Sequence, residues 1–505
     1  MRISICHQLH YFKLFGMGKK QGTEKRMDAS RRSFIRNSAM TLASFYIVPR
    51  HVLGGRGYVA PSDKLLIAGI GAGGKGGDDI RHFAKSPRAE IAFLCDVDDV
   101  RAKENVNLFP KAKFYHDWRE LFEKESKNFD AVSVGTPDHN HAIIAFNAMQ
   151  LNKHVYVQKP LTHDIYEARM LSEGSKRYKV VTQMGDQGSS GDGVRLMREW
   201  YDAGLIGDAH TVDVWTDRPV WPQGIAWPKT SAPVPSTLQW DLWLGTAPQK
   251  DYIENLVPFN WRGWWDYGTG ALGDMGCHLI GPVFKVLEPG FPTDVSCSLS
   301  TLFGGEFRED YLPDAGPVSS SVHFHYKKKD GKKLKMNWMD GGLKPEKPEM
   351  LPDNIKMAAN GVIFYGSKGL MICDTYGEVP QLYPDALNEQ AKNVPQKLAR
   401  VVGGSEGHYT QWVDACLMGH SKGAKAVSSP FETYAVPLTE SILMGNLAIR
   451  SFNYRQQKSG SQGYEFPARG LTLDWDAANM KVTNFEAANQ YVKRTYRTGW
   501  NDLRF

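Results

Sequence analysis

The run Lys64–Phe83, KLLIAGIGAGGKGGDDIRHF, restricts the fold more than any other part of the chain. An unbroken apolar stretch leads straight into Gly71, Gly73 and Gly76, with Gly74 in the same loop, and the chain then turns amphipathic. G-x-G-x-x-G spacing between a buried strand and a helix makes a tight turn in which the backbone can approach a pyrophosphate, whose charge sits on the helix N-terminus. The triplet alone is a weak signal. Asp96 strengthens it, because it closes a second apolar run, AEIAFLCDVD, twenty residues after Gly76, where a carboxylate can accept from a ribose 2′-hydroxyl. The same charge repels a 2′-phosphate, so NAD is expected in preference to NADP.

Beyond this loop, apolar runs and amphipathic segments keep alternating through KFYHDW, DAVSVGTP, HAIIAFNAMQ, HVYVQKPL and KVVTQMG. That alternation predicts a Rossmann-type, doubly wound parallel sheet over residues 61–185. The strand-like stretches DVSCSLST, SSSVHFHYK, KLKMNWMD and NGVIFYGSKGLMICD follow later. They predict a second domain over 186–505 built on a large, mostly antiparallel open sheet, with an aromatic, basic C-terminal tail docked on the body.

Three further stretches bear on chemistry. GTPDHNHAIIA holds Thr136, Pro137, Asp138 and His141; VYVQKPLTH holds Gln158, Lys159 and Pro160. Both follow strands, and in a doubly wound sheet the carboxyl ends of the strands form the ligand crevice. A Lys there can hydrogen-bond a hydroxyl or polarise a carbonyl, although a lysine at a strand end is more often a solvated rim residue. The third stretch, GWWDYGTGALGDMGCHLIGPVFKVL, sets Asp274 and His278 four apart, on one helix face. An Asp one turn before a His can orient the imidazole for general acid–base work.

With the glycine loop, these motifs resemble the glucose-fructose oxidoreductase and inositol dehydrogenase (Gfo/Idh/MocA) family. The resemblance implies that Thr136, Pro137, Asp138, His141, Gln158 and Lys159 surround the cofactor, and that Lys159, Asp274 and His278 converge on one substrate carbon. It implies hydride transfer between a sugar carbon and NAD, with His278 as base, Asp274 orienting it and Lys159 steadying the oxygen. It also implies a homo-oligomer, dimeric or tetrameric, and a substrate contact for His408, whose alternative is packing at a helix start. Two positions depart from the family pattern: Gln158 stands where an acidic residue is usual, and Asp138 where Asn is common.

Nine of the fourteen tryptophans lie between Trp200 and Trp265. Aromatic faces suit the C–H face of a pyranose, and Trp264 and Trp265, which lead into the Asp274 segment, are expected to form the sugar wall. Trp221 and Trp227 are candidates for a lid. Core or interface packing is the alternative for all of them.

Charge is uneven along the chain. Residues 1–60 carry eleven Lys or Arg against two acidic residues, whereas the rest carries 50 against 53. The formal +6 is therefore a property of the first segment, and nucleic-acid binding loses its support. Within that segment, Arg31 and Arg32 precede a weakly apolar stretch ending at Pro49, the order of a twin-arginine leader; Met27 is the more ordinary start for one. Export to the periplasm as a folded protein without a membrane anchor is expected. The six cysteines show no C-x-x-C pair, so neither a disulfide framework nor a metal centre is expected.

An exported protein has no free pool of NAD, which narrows the chemistry. One reading is an oxidoreductase acting at a sugar or glycoside secondary hydroxyl, C3 for preference, with bound NAD recycled by a second substrate. The others are an NAD-dependent glycoside hydrolase and a non-catalytic sugar-binding protein.

Overall fold

The computed structural model describes residues 63–501 and 503–505; the leader read at 1–60 lies outside them. The first half alternates strand and helix: β1 (Leu65–Ile70), α1 (Gly74–Ala84), β2 (Ala89–Cys95), α2 (Asp99–Leu108), β3 (Lys113–Tyr115) and α3 (Trp118–Glu125). It continues with β4 (Ala131–Val134), α4 (His141–Gln150), β5 (His154–Gln158), α5 (Ile165–Tyr178) and β6 (Thr182–Gly185). The six strands are all parallel, in the order β3-β2-β1-β4-β5-β6. β4, β5 and β6 are buried almost throughout because helices cover both faces, which is why they read as continuous apolar runs. The strand order reverses between β1 and β4, so the crevice opens above their carboxyl ends.

Helix α6 (Asp192–Asp202) leads to β7 (Ala209–Trp215), after which come the short α7 (Trp240–Leu244) and the long α8 (Gly270–Leu287). The second sheet then assembles from β8 (Asp294–Leu299), β11 (Ser320–Lys327), β12 (Lys333–Met339), β13 (Gly361–Gly366), β14 (Leu370–Cys373) and β15 (Gln381–Tyr383) around β7. A small hairpin, β9 (Phe303–Gly305) with β10 (Arg308–Glu309), interrupts the series. Helices α9 (Ala386–Ala391), α10 (His408–Leu417), α11 (His420–Gly423) and α12 (Val436–Phe452) follow. The hairpin β16 (Gln456–Gln457) and β17 (Tyr464–Glu465) precedes β18 (Leu473–Asp476) and β19 (Lys481–Val482), which complete a nine-stranded sheet. Its neighbours are antiparallel except for β7 and β12.

Alternation is clean in β11, where Val322, Phe324 and Tyr326 face inward and His323 and His325 outward, as period-2 geometry requires. The inward row packs on α12, which lies against α8. One contiguous core runs from Val132 and Phe146 of the parallel sheet through α8 to Phe324 and Trp338. Buried α8 therefore belongs to the core that joins the two sheets.

The C-terminal tail is pinned by charge. Arg494 donates to Glu167 Oε1 at 2.6 Å, its backbone N–H donates to Asp164 Oδ2 at 3.0 Å, and the Tyr496 hydroxyl donates to Glu167 Oε1 at 2.7 Å. Both carboxylates belong to the capping box that starts α5.

Candidate active site

A cavity of about 700 Å³ connects the glycine loop to the α8 face, with Gly71, Gly73, Asp96, Thr136, Lys159 and His278 all on its wall. Its floor is set by steric necessity at the loop. Gly71 has φ of +85°, and a Cβ there would stand 2.7 Å from the backbone of Gly135. A Cβ at Gly76 would meet the Gly71 carbonyl oxygen at 2.1 Å, so this glycine lets α1 close on the loop and does not itself line the cavity. Gly74 opens α1 and lies on the wall.

Asp96 closes the loop. Its Oδ2 accepts from Gly73 N–H at 2.9 Å and its Oδ1 from Asp98 N–H at 3.0 Å. Burial pushes the carboxyl up to about 6, against those two N–H donors. Each oxygen has a second lone pair, leaving acceptor capacity toward the cavity. The cradle that a Cβ would fill, the helix N-terminus and this carboxylate together fit a dinucleotide. Gly71, Gly73, Gly74, Asp96, Thr136, Pro137 and Asp138 would hold it.

The flank of α1 carries a second group. Burial alone would lower the Lys75 ammonium, but Asp79 and Tyr409 outweigh it and hold the cation firmly charged. Lys75 lies 2.9 Å from Asp79, which is fully buried and also receives Tyr409 Oη at 3.0 Å and Gln158 Nε2 at 2.6 Å. The amide at 158 thus completes a carboxylate supplied by α1, a partnership that the sequence pattern did not suggest.

Lys159 follows β5 directly and reaches across to α8. Its Nζ lies 3.1 Å from Asp274 Oδ1 and donates to the Asp274 carbonyl at 2.7 Å. Arg262 Nε donates to the same Oδ1 at 3.2 Å. Burial pushes the Asp274 carboxyl up, but Lys159 and Arg262 prevail and hold it at about 2. Asp274 was expected to orient His278; it holds the two cations instead.

The carboxylate facing His278 is Asp186, just past β6, at 3.4 Å from Nδ1. Its other oxygen accepts from Tyr434 Oη at 2.7 Å, and both partners are buried. Burial first, then Lys159, lowers the imidazole below its ordinary range. The Tyr376 ring meets His278 edge-on, with centroids 5.0 Å apart.

Other expected residues fall elsewhere. Asp138 lies on the wall, its carboxylate accepting from Thr269 Oγ1 at 2.7 Å. His141 is buried behind it, bonded to Pro160 O at 2.9 Å and Thr136 O at 2.7 Å, so it ties the ends of β4 and β5. His408, expected to touch substrate, is wholly buried between Ser190 Oγ at 2.7 Å and Met184 O at 2.9 Å. Tyr409, one residue on, takes the place at the cavity.

Trp264 and Trp265, expected as the sugar wall, pack into two hydrophobic clusters and do not line the cavity. Trp264 meets Trp227 edge-on, with centroids 4.8 Å apart. Trp221 and Trp261 line the cavity instead. Asp186, Arg262, Tyr376 and Tyr434 were not read from the sequence. Asp186 had a signal, its position at a strand's carboxyl end; the others had none. Among the described residues no group of three or more His, Cys, Asp or Glu is placed to hold a metal ion, and no helix is long and apolar enough to cross a membrane.

Residues 65–186 match the oxidoreductase family's NAD-binding Rossmann fold, and residues 207–301 its C-terminal alpha/beta domain. A Glycosyl hydrolase family 109 protein of Shewanella pealeana is 26% identical over 187 residues, 34% of this chain and 41% of that protein. An inositol 2-dehydrogenase of Salmonella paratyphi B is 29% identical over 146 residues, 28% of this chain and 43% of that protein. The chain thus spans about two-fifths of the length of these curated relatives. In fold it is similar to the WlbA dehydrogenase of Chromobacterium violaceum, crystallised with NADH and UDP-GlcNAcA; the TM-score is 0.53 at 17% identity, covering 77% of this chain and 94% of that one. Two domain matches in family order, over a glycine cradle and a doubly wound sheet, establish that the chain belongs to the Gfo/Idh/MocA oxidoreductase family.

Proposed function

We propose that this chain is an NAD-dependent oxidoreductase acting on a secondary hydroxyl of a sugar or glycoside, with C3 as the preferred carbon. The observation that carries this reading is that one cavity holds both the glycine cradle and the Lys159, Asp274 and His278 group. Bound NAD supplies a hydride acceptor.

The chain's own residues handle the proton and the oxygen. The Asp186 carboxylate facing Nδ1 favours the tautomer with hydrogen there, leaving the Nε2 lone pair of His278 free to take the hydroxyl proton. A lowered imidazole is neutral near pH 7, as a base must be. Of the three Lys159 N–H donors, two are held by Asp274. The third is available to the substrate oxygen and stabilises negative charge developing there. In the reverse direction the same two side chains act as acids.

The Arg31-Arg32 leader supports export of the folded protein to the periplasm with NAD already bound. Turnover there recycles the cofactor through a second, keto substrate, and the protein works as a homo-oligomer. Absorbance at 340 nm of the desalted protein should rise on adding a glycoside and fall on adding a 3-keto sugar. Protein without nucleotide would overturn the retained-cofactor reading, and loaded protein inert to all glycosides would overturn the activity.

The match to a Glycosyl hydrolase family 109 protein supports a second reading, net hydrolysis at the same site. Free sugar and aglycone accumulating without lasting 340 nm absorbance would favour it.

A further inference from the structure

The mouth of the cavity beside Arg262 is apolar. Val220, Trp221, Val257, Pro258, Phe259 and Trp261 line it, from two segments on either side of α7. Val220 is 62% exposed and Phe259 44%, whereas Trp221 and Trp261 are buried. Apolar and aromatic side chains converging on a cavity wall, some of them uncovered, mark a binding surface.

The two segments meet, the Trp221 and Phe259 rings lying edge to face with centroids 5.8 Å apart. The Arg262 guanidinium lies over both Phe259, at 4.6 Å, and Trp261, at 4.4 Å. Its Nε is bonded to Asp274 and its Nη1 to the Phe259 carbonyl. Arg262 therefore links the ion cluster that carries the chemistry to the apolar rim. Arg218 lines the same mouth and adds a second guanidinium, a planar cation suited to stacking on an aromatic ring.

We infer that this rim is an aglycone subsite, and that the substrate is a glycoside carrying an apolar, planar aromatic aglycone. The inference rests on the proposed oxidation of a sugar hydroxyl by this cavity, which puts the sugar ring against Lys159 and His278. The aglycone of such a substrate then extends toward Val220 and Phe259. No bond in it need form or break.

The test compares phenyl glycosides with the methyl glycosides of the same sugars on NAD-loaded, full-length protein, reading both 340 nm turnover and binding by calorimetry. At least a tenfold preference for phenyl is expected in kcat/KM, residing in KM, with the same ratio in Kd. Phe259→Ala, and Val220→Ser at the more exposed position, should each reduce the ratio several-fold. Equal affinity for phenyl and methyl glycosides, or a ratio unmoved by both variants, would overturn the subsite. Phenyl-selective binding without turnover would support the subsite and count against the proposed activity, so the two failures are told apart.

Discussion

Asp274 Oδ1 lies 3.1 Å from Lys159 Nζ across the crevice, and the imidazole one turn along its own helix takes its carboxylate from elsewhere. The four-residue spacing in α8 therefore brings two side chains to one cavity without pairing them. Lys159 and Asp274 form one unit, His278 and Asp186 another.

Removing the ammonium should leave the cofactor cradle intact, since Lys159 touches neither Asp96 nor the glycine loop. Lys159→Met is expected to lower kcat about 100- to 1,000-fold, the usual cost of losing a donor to a developing oxyanion. Tryptophan-to-NADH energy transfer should show NAD binding within a few-fold of the parent. Loss of both together would show that the lysine holds the cradle as well.

The two carboxylates should differ in pH profile. His278 is held below its ordinary value, so the acid limb of kcat/KM should lie below about 6.5, the usual histidine figure. Asp186 raises the imidazole. Asp186→Asn should therefore move that limb to still lower pH while cutting kcat. A profile that scales down without shifting would make Asp186 a packing residue only.

At Asp96, both oxygens hold loop N–H groups and retain acceptor capacity. Asp96→Ala should weaken NAD at least tenfold and narrow the preference over NADP, as equilibrium titration of the nucleotide-free protein would show. An unchanged ratio would place the discrimination elsewhere.

Several histidines are buried in neutral form. Burial holds His139 at about 3 and His408 at about 4. Both are depressed in the folded chain, so their contribution is whole above about pH 6.5, where the unfolded chain is also neutral, and is lost as pH falls toward 4 and then 3. At about 1.4 kcal/mol per pKa unit, His408 alone is worth on the order of 3 kcal/mol. Urea midpoints should fall steeply below pH 6, and His408→Gln should flatten part of that slope.

What the sequence disclosed divides along physical lines. The parallel sheet, the glycine cradle and the positions of Lys159, Asp274 and His278 follow from short-range spacing and strand periodicity, so the segments carrying them could be found. The partners could not. Asp186 and Tyr434 are 248 residues apart, Asp79 and Tyr409 are 330 apart, and no local pattern encodes such encounters. The tryptophans misled for a related reason. Trp264 and Trp265 lie near Asp274 along the chain, but their rings turn into the core, and Trp261, with Arg262 stacked on it, reaches the cavity instead.

The tail that reaches α5 has a consequence for biosynthesis. Glu167 and Asp164 open a helix of the first sheet, yet the cation that neutralises them, Arg494, is translated 327 residues after Glu167. Until it arrives, two carboxylates are left facing each other in a site built for a guanidinium. The nascent cofactor domain therefore lacks one of its own charge partners until the chain as far as Arg494 has been made. A protein truncated before Arg494 is marked as unfinished by its own electrostatics.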